Sequence, residues 1–228
     1  VAKEALRRAV DRLGSTKGPT TTATMVVDPQ IAGRLLSRLL GPANARSIAQ
    51  GRSVFADKLG QTLFPAMLNV VDEPLLPGGM ASRHFDGEGI AAKTLPIITA
   101  GTLENVYVDT YYGKKAGLAP TSGGTSNLLV KPGVDKGLAE LIQDAGEGIY
   151  VTSWLGGNAD GTTGDFSFGL RGHLIEKGAI GRPVSEMNVT GNLLELFGRL
   201  AVVGNDPWPY RAVQVPTLVF DGVQFSGA

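Results

Sequence analysis

The segment DFSFGLRGHLIEKGAIGRPV, residues 165–184, carries the clearest fold signal in this chain of 228 residues. Apolar and polar residues alternate through residues 165–170 and 172–176, which is the pattern of strands with one buried face. Lys177-Gly178 forms a two-residue turn that leads into a third run, residues 179–184. The segment therefore predicts antiparallel strands joined by a tight turn.

Outside this segment, short strand patterns occur in runs with helical patterns inserted between them. The predicted helices cover residues 1–13, 29–40, 43–50, a short stretch ending at 116, 134–145 and 191–200. The predicted strands cover residues 20–27, part of 65–71, 94–99, 103–108, 149–155 and part of 213–225. We therefore predict an α+β fold with a predominantly antiparallel, barrel- or sandwich-like sheet. Residues 1–60 are expected to form a lead-in segment continuous with a β-rich domain, residues 61–228.

Composition excludes several classes of function. Lys and Arg together number 21 and so do Asp and Glu, so the net charge is zero and no basic surface for nucleic acid or an anionic membrane is expected. The chain has no cysteine, which rules out disulfides and thiolate metal ligands. No secretory signal or membrane span is recognised, so we expect a cytoplasmic protein.

A polar loop around His84 is the first candidate site. It places His84, Asp86 and Glu88 among glycines, where the two carboxylates could lie near a ligand or a metal. An Asx-type turn, in which Asp86 accepts backbone N–H groups, explains the same residue types, and we favour that interpretation. The other histidine, His173, is expected to be an ordinary strand residue.

Two further polar segments carry weaker signals. Residues 158–165 resemble a calcium loop but have Gly169 where the bidentate Glu is required, so a turn between strands is the better interpretation. The segment PTSGGTSN, residues 120–127, has no lysine for a phosphate loop. Its Gly123-Gly124 pair could accept the backbone of an extended peptide or belong to a flexible loop.

Six short motifs, taken in order, resemble one family. They read FDGEGI from Phe85, GTLEN from Gly101, DTYYGKKAGL from Asp109, TGDFSFG from Thr163, PVSE from Pro183 with TGNL from Thr190, and VGND from Val203. Together they resemble the C-terminal half of the TldD/PmbA family, the so-called modulators of DNA gyrase, and within it the TldE (PmbA) branch.

The resemblance implies a heterodimeric zinc metallopeptidase that acts on unfolded or extended peptides. Its TldD-type subunit holds zinc through a His-Glu-x-x-x-His helix and a later cysteine. In the matching helix of this chain, Pro29 and Arg34 replace the histidines and Gln30 replaces the glutamate. Proline and arginine cannot ligate zinc and glutamine cannot take a proton, so the resemblance implies no metal here and zinc in a TldD-type partner.

Three functions follow from these observations. The chain is expected to be a non-catalytic subunit that shapes a peptide channel, paired with a TldD-type subunit. Alternatively it is a hydrolase with an unconventional site at His84, Asp86 and Glu88, or a structural domain that forms a homodimer. The further residues expected to contact substrate or partner are Gly123, Gly124, Thr163, Gly164, Asp165, Asn205 and Asp206.

Overall fold

Short helices and strands follow one another irregularly along residues 2–227, the part of the chain that the computed structural model describes. The helices are α1 (Ala2–Val10), α2 (Pro29–Leu40), α3 (Ala45–Ala49), α4 (Thr110–Ala116), α5 (Leu138–Ala145) and α6 (Leu193–Gly198). The strands are β1 (Thr16–Lys17), β2 (Thr21–Val27), β3 (Val70–Asp72), β4 (Leu95–Thr99), β5 (Thr102–Leu103), β6 (Leu128–Val130), β7 (Gly148–Trp154), β8 (Asn158–Ala159), β9 (Asp165–Glu176), β10 (Ala179–Asn192), β11 (Leu200–Val203), β12 (Val213–Gln214) and β13 (Leu218–Ser226).

Five strands close a barrel in the order β2-β7-β9-β10-β13, with β13 pairing back to β2. Only the β2–β7 contact within this ring is parallel. The short strands β1, β8 and β11 pair with barrel strands from outside the ring. The predicted α+β class, with a mostly antiparallel and barrel-like sheet, is confirmed.

The β9–β10 hairpin forms where the sequence predicts it. Lys177 and Gly178 both have positive φ angles, 53° and 74°, as a two-residue turn of this kind requires. The two predicted strands before the turn are one continuous strand in the structure. Gly172, the first residue of the second predicted strand, has no side chain, and a Cβ there would lie 2.0 Å from the Tyr150 carbonyl oxygen of β7.

A second sheet has the strand order β12-β6-β3-β4-β5. Helix α2 lies between the two sheets. On one side the backbone of Gly33 meets Val213 of β12, where a Cβ would come within 3.0 Å of the carbonyl oxygen. On the other side the Trp154 indole of β7 donates a 3.3 Å hydrogen bond to the carbonyl of Ile31.

The local sequence accounts for the bounds of α2. Asp28 caps the helix by accepting the Gln30 N–H at 2.8 Å, and Pro29 occupies its first turn. The apolar stripe is buried against the core and consists of Ala32, Leu35, Leu36, Leu39 and Leu40. The prediction of a helix over residues 29–40 is therefore confirmed at both ends.

Several predicted elements are shorter than expected. The strand predicted within residues 65–71 is β3, shifted to Val70–Asp72, and the one predicted over 103–108 is the two-residue β5. The helix predicted from residue 134 begins at Leu138, and the one predicted from 191 begins at Leu193 because β10 continues to Asn192. Helix α1 ends at Val10 rather than residue 13, and Val1 lies outside the described residues.

Candidate functional site

The loop around Asp86 meets the N-terminus of α4 and the segment 121–127. Asp86 is 7% exposed, and its Oδ1 accepts the N–H groups of Glu88 (2.9 Å) and Ile90 (3.0 Å). Its Oδ2 accepts the N–H of Gly123 at 3.3 Å. Burial opposes the charged form, but these N–H donors outweigh it and lower the pKa of Asp86. Asp86 therefore forms the turn that the sequence favoured, as a carboxylate that ties two loops together.

Glu88 also has a structural partner. Its Oε2 accepts the N–H of Thr110, the first residue of α4, at 2.9 Å. Asp109 caps the same helix by accepting the Tyr112 N–H at 2.6 Å. Two carboxylates therefore stabilise the N-terminus of α4, where the unpaired N–H groups and the helix dipole favour negative charge.

The His84 side chain takes part in none of the hydrogen bonds described for Asp86 and Glu88. Its side chain is exposed, while its backbone carbonyl accepts the N–H of Ala92 at 2.9 Å. Within residues 2–227, no three side chains of His, Cys, Asp or Glu lie close enough together to hold a metal ion. The loop thus places Asp86 against Gly123 and Glu88 against Thr110, and it does not join them with His84 in a metal-holding group.

Two charged side chains, Arg83 and Asp72, hold the segment 121–127 in place. Arg83 donates to the Ser122 hydroxyl at 3.0 Å and to the Gly124 carbonyl oxygen. The buried Asp72 accepts the N–H of Ser126 at 2.9 Å. Together with the bond from the Gly123 N–H to Asp86, these contacts fix the glycine pair in place, and Gly123 is exposed.

Three glycines here have no internal reason to be glycine. Gly87, Gly123 and Gly124 do not have positive φ angles. A Cβ at Gly87 or Gly124 would meet no atom within 4 Å, and one at Gly123 would make only ordinary contacts near 3.8 Å. By contrast, Gly101 has φ of 77° and a Cβ there would lie 2.0 Å from the Phe64 carbonyl oxygen. Because glycine costs conformational entropy, the first three positions fit a surface where another backbone approaches.

A groove of about 310 Å³ runs beside this glycine pair. Leu40 of α2 and Val213 of β12 line its apolar side, and Tyr107 also lines it. The Tyr107 hydroxyl is buried and has no hydrogen-bond partner among residues 2–227. Burial and the negative charge of Asp72 raise the pKa of Tyr107, so this hydroxyl stays protonated at neutral pH.

The predicted residues Thr163 and Gly164 lie elsewhere, in the turn between β8 and β9, and the predicted Asp165 begins β9. Asn192 donates to the Thr163 carbonyl at 2.8 Å and to the Asp165 carboxylate at 3.0 Å. Asp160 accepts the Thr162 N–H at 2.7 Å, and the backbone N–H groups of this turn lower its pKa. The predicted strand connection is confirmed, and its polar groups bond to one another.

Asp206 joins three segments. Its Oδ2 accepts the Leu138 N–H of α5 at 2.9 Å and the Thr217 hydroxyl at 2.8 Å, and its Oδ1 accepts the Thr217 N–H at 2.9 Å. The neighbouring Asn205 donates to Asp135 at 2.7 Å. The structure therefore gives this pair internal partners, at a third location separate from Gly123.

Pro29, Gln30 and Arg34, which the family resemblance assigns to the metal motif, lie on the first turns of α2. Gln30 contributes its backbone N–H to the Asp28 cap, and Pro29 has neither an N–H nor a donor atom in its side chain. Arg34 is exposed and donates to the Trp154 carbonyl at 3.5 Å. An always-charged guanidinium, a proline ring and an amide do not fit a zinc ion.

Sequence reasoning missed the ion network at the cap of α2. The Asp28 side chain is fully buried, and the Arg8 guanidinium lies 3.1 Å from it. The Tyr150 hydroxyl donates to the same carboxylate, and burial together with the Asp28 charge raises the pKa of Tyr150. Asp28 was recognisable as a cap, but Arg8 and Tyr150 are distant in sequence and no local signal joins them.

Comparison with known proteins places this geometry in context. The sequence pattern of the PmbA/TldA metallopeptidase C-terminal domain matches residues 20–227. Metalloprotease PmbA of Escherichia coli O157:H7 and the metalloprotease PmbA homolog of Haemophilus influenzae are each 29% identical over 229 residues. Each alignment covers 100% of this chain and 51% of the relative, so the chain spans about half the length of these curated relatives.

Solved structures share the fold. A crystal structure of a protein named as a modulator of DNA gyrase, from Bacteroides thetaiotaomicron, superposes with a TM-score of 0.96 at 42% identity. It covers 100% of this chain and 52% of that protein. TldE from Thermococcus kodakarensis superposes with a TM-score of 0.86 at 19% identity, covering 99% of this chain and 55% of TldE, and shows the fold alone.

Proposed function

The chain belongs to the TldD/PmbA metallopeptidase family through its C-terminal domain, and from this premise we propose that it is a non-catalytic, TldE-type component of a peptidase complex. In this proposal a TldD-type partner holds the zinc. The chain described here shapes the channel through which an extended peptide reaches that metal.

One observation carries the proposal, namely the chemistry at the start of α2. The family resemblance aligns this helix with the zinc helix of catalytic members. Here the aligned positions are Pro29, Gln30 and Arg34, and the side chains that are present cannot ligate zinc or act as a general base. A TldE-type role accounts for a helix that keeps the family's position in the fold but has lost its chemistry.

The glycine surface supports the channel role. Gly123 and Gly124 line a groove of about 310 Å³, and neither conformation nor packing requires glycine there or at Gly87 on the neighbouring loop. Main-chain recognition at such a surface suits peptides of varied sequence, because every peptide carries the same N–H and C=O groups. We propose this surface as the contact with the peptide substrate.

Co-purification with a TldD-type subunit tests the proposal. The expected result is a stable complex whose peptidase activity exceeds that of the TldD-type subunit alone by about tenfold or more. Failure to associate, together with no gain in the partner's activity, would contradict the proposed role. A homodimer that is indifferent to the partner would instead favour a purely structural domain.

The alternative hydrolase at His84, Asp86 and Glu88 is tested by metal analysis. Asp86 and Glu88 are already bonded to backbone N–H groups, which leaves them poorly placed to act as ligands or bases. Zinc at one equivalent in the isolated chain, lost in the His84→Ala variant, would favour the hydrolase over our proposal.

A further inference from the structure

A second cavity, independent of the proposed peptide channel, lies between helix α1 and the outside of the barrel. Its volume is about 110 Å³. Arg7, Arg8, Asp11 and Arg12 line it from the helix and the turn that follows. Barrel and α5 residues line the other side, and they are Leu138, Tyr150, Thr152, His173 and Ile180. We refer to this space as the α1 cavity.

The contacts that hold α1 against the barrel are polar. No residue of the helix is fully buried, and its apolar side chains Leu6 and Val10 are 66% and 52% exposed. Arg8 reaches the buried Asp28, and the His173 ring contacts the carbonyl of Asp11. A helix attached through ionic and polar contacts leaves an amphipathic space beneath it rather than a packed apolar seam.

The three arginines differ in how far their charges are used. Arg7 pairs with Glu4 and Asp11, both at 2.7 Å. Arg8 pairs with Glu4 at 2.8 Å and with Asp28. Within residues 2–227, Arg12 pairs with no carboxylate, although its side chain lines the α1 cavity. Its guanidinium therefore retains the planar set of donors that recognises a carboxylate.

His173 supplies an independent sign that something is missing from this space. The residue is 7% exposed, and its Nε2 lies 3.0 Å from the Asp11 carbonyl oxygen. Because a carbonyl only accepts, Nε2 must carry the proton, and Nδ1 is left without a partner among residues 2–227. Buried polar atoms in folded proteins rarely remain unpaired, since each unpaired atom costs free energy.

The apolar residues that line the α1 cavity determine what kind of ligand fits beside the charged group. Leu138 and Ile180 present aliphatic side chains, and Ile180 is 51% exposed, so it has surface to cover. The Tyr150 ring stacks on His173 with centroids 6.1 Å apart and closes the inner wall. A ligand that fits would combine an anionic head with a short aliphatic body.

We propose that the α1 cavity binds a small carboxylate, with Arg12 holding the carboxylate group and Leu138 and Ile180 contacting the aliphatic part. With its proton on Nε2, His173 offers Nδ1 as an acceptor for an N–H group of the ligand, such as the amide that precedes the C-terminal carboxylate of a peptide. Two sources share this chemistry, namely a free short-chain carboxylic acid and the C-terminal residue of a peptide.

Calorimetric titration of the 228-residue chain separates the sources. The probes are hexanoate for the free acid, N-acetyl-leucine for a peptide C-terminus and N-acetyl-leucinamide as the uncharged control. We expect saturable binding of at least one acid with a Kd of about 1 mM or tighter, as the few heavy atoms allow. The amide should bind about tenfold more weakly or not at all, because it cannot pair with Arg12.

Nuclear magnetic resonance places the binding, because the chain has only two histidines. The ring signals of His173 should shift on titration, and those of the exposed His84 should not. Arg12→Gln should weaken binding about tenfold or more, while Arg38→Gln, at an exposed arginine of α2, should leave it unchanged.

Each outcome decides the proposal. Binding of hexanoate alone assigns the site to free acids, and binding of N-acetyl-leucine alone assigns it to peptide C-termini. Binding of both shows that a carboxylate and a short aliphatic chain are sufficient for binding. Neither acid binding, equal binding of the amide, an unmoved His173, or equal affinity in the Arg12→Gln variant would overturn it. None of these results depends on a TldD-type partner.

Discussion

The Tyr150 hydroxyl on strand β7 donates a 2.5 Å hydrogen bond to the carboxylate of Asp28, the residue that caps helix α2 and lies 122 residues from Tyr150 in sequence. The bond fixes the start of α2 against the barrel. Asp28 is fully buried, and Arg8 and the Gln30 N–H complete its partners. Helix α2 is therefore anchored at its first turn by a buried charge with three partners, which are the Tyr150 hydroxyl, the Arg8 guanidinium and the Gln30 N–H.

Removing the Tyr150 hydroxyl should weaken this anchor. Tyr150→Phe is expected to lower the free energy of unfolding by about 1–2 kcal/mol, because a buried carboxylate loses one of its donors. Urea denaturation followed by circular dichroism measures the change. Tyr210→Phe is the matched control, because Tyr210 is 70% exposed, and it should change stability by less than about 0.5 kcal/mol. Equal stability of the two variants would show that the bond contributes nothing.

The loop around Asp86 should loosen in acid. The pKa of Asp86 is lowered in the folded chain. The contribution of this carboxylate to stability is therefore present above its pKa in the unfolded chain, about 3.9, and is lost as the pH falls through its pKa in the folded chain. Hydrogen exchange at Glu88 and Ile90, corrected for intrinsic rates, should therefore stay protected at pH 5 and lose protection below about pH 4. Protection that is unchanged at pH 3 would contradict the role assigned to this carboxylate.

Two glycine substitutions separate folding from function. Gly101→Ala should destabilise the chain by about 2 kcal/mol or more, because φ is positive and a Cβ would collide with Phe64. Gly124→Ala should leave the free energy of unfolding unchanged within about 0.5 kcal/mol, because a Cβ there meets nothing. In the complex with a TldD-type subunit, however, Gly124→Ala should raise KM for peptide several-fold.

The effects of Gly124→Ala on KM and on stability decide whether the glycine surface is the peptide contact. If Gly124→Ala leaves KM unchanged in a complex that is otherwise active, the partner role would stand and the glycine surface would not be the peptide contact. If Gly124→Ala also unfolds the chain, the space beside Gly124 is not open to a side chain.

Asp206 is expected to act in folding rather than in substrate contact. It accepts hydrogen bonds from the N–H of Leu138 and from both polar groups of Thr217, so Asp206→Ala should cost about 2–3 kcal/mol of stability. Asn205→Ala, which removes one exposed bond to Asp135, should cost less than about 1 kcal/mol. Thermal unfolding checks both, and similar melting temperatures for the two variants would contradict the prediction.

Local chemistry made helix α2 predictable from sequence. The Asp28-Pro29 start, the leucine stripe and the Gly41 stop all act within a few residues of the helix, so its bounds follow from the printed sequence. The turn at Lys177-Gly178 is predictable for the same reason, because a two-residue turn needs positive φ angles at both positions.

Long-range contacts account for what the sequence did not predict. Helix α5 begins at Leu138 because Asp206, 68 residues away, accepts its N–H. The runs 165–170 and 172–176 are predicted as separate strands, but they form one continuous strand in which Gly172 allows the close approach of the Tyr150 backbone. Likewise, only the folded chain shows that Gly124 has open space while Gly101 has none, although both are glycines in turn-rich segments.

Zinc content measured together with peptidase activity on the purified chain tests the central claim most directly. We expect less than about 0.1 equivalent of zinc after equilibration with the metal and no peptide cleavage, because Pro29, Gln30 and Arg34 offer no ligand or base. Cleavage of an extended peptide by the chain alone, with one equivalent of zinc held by its own side chains, would contradict it.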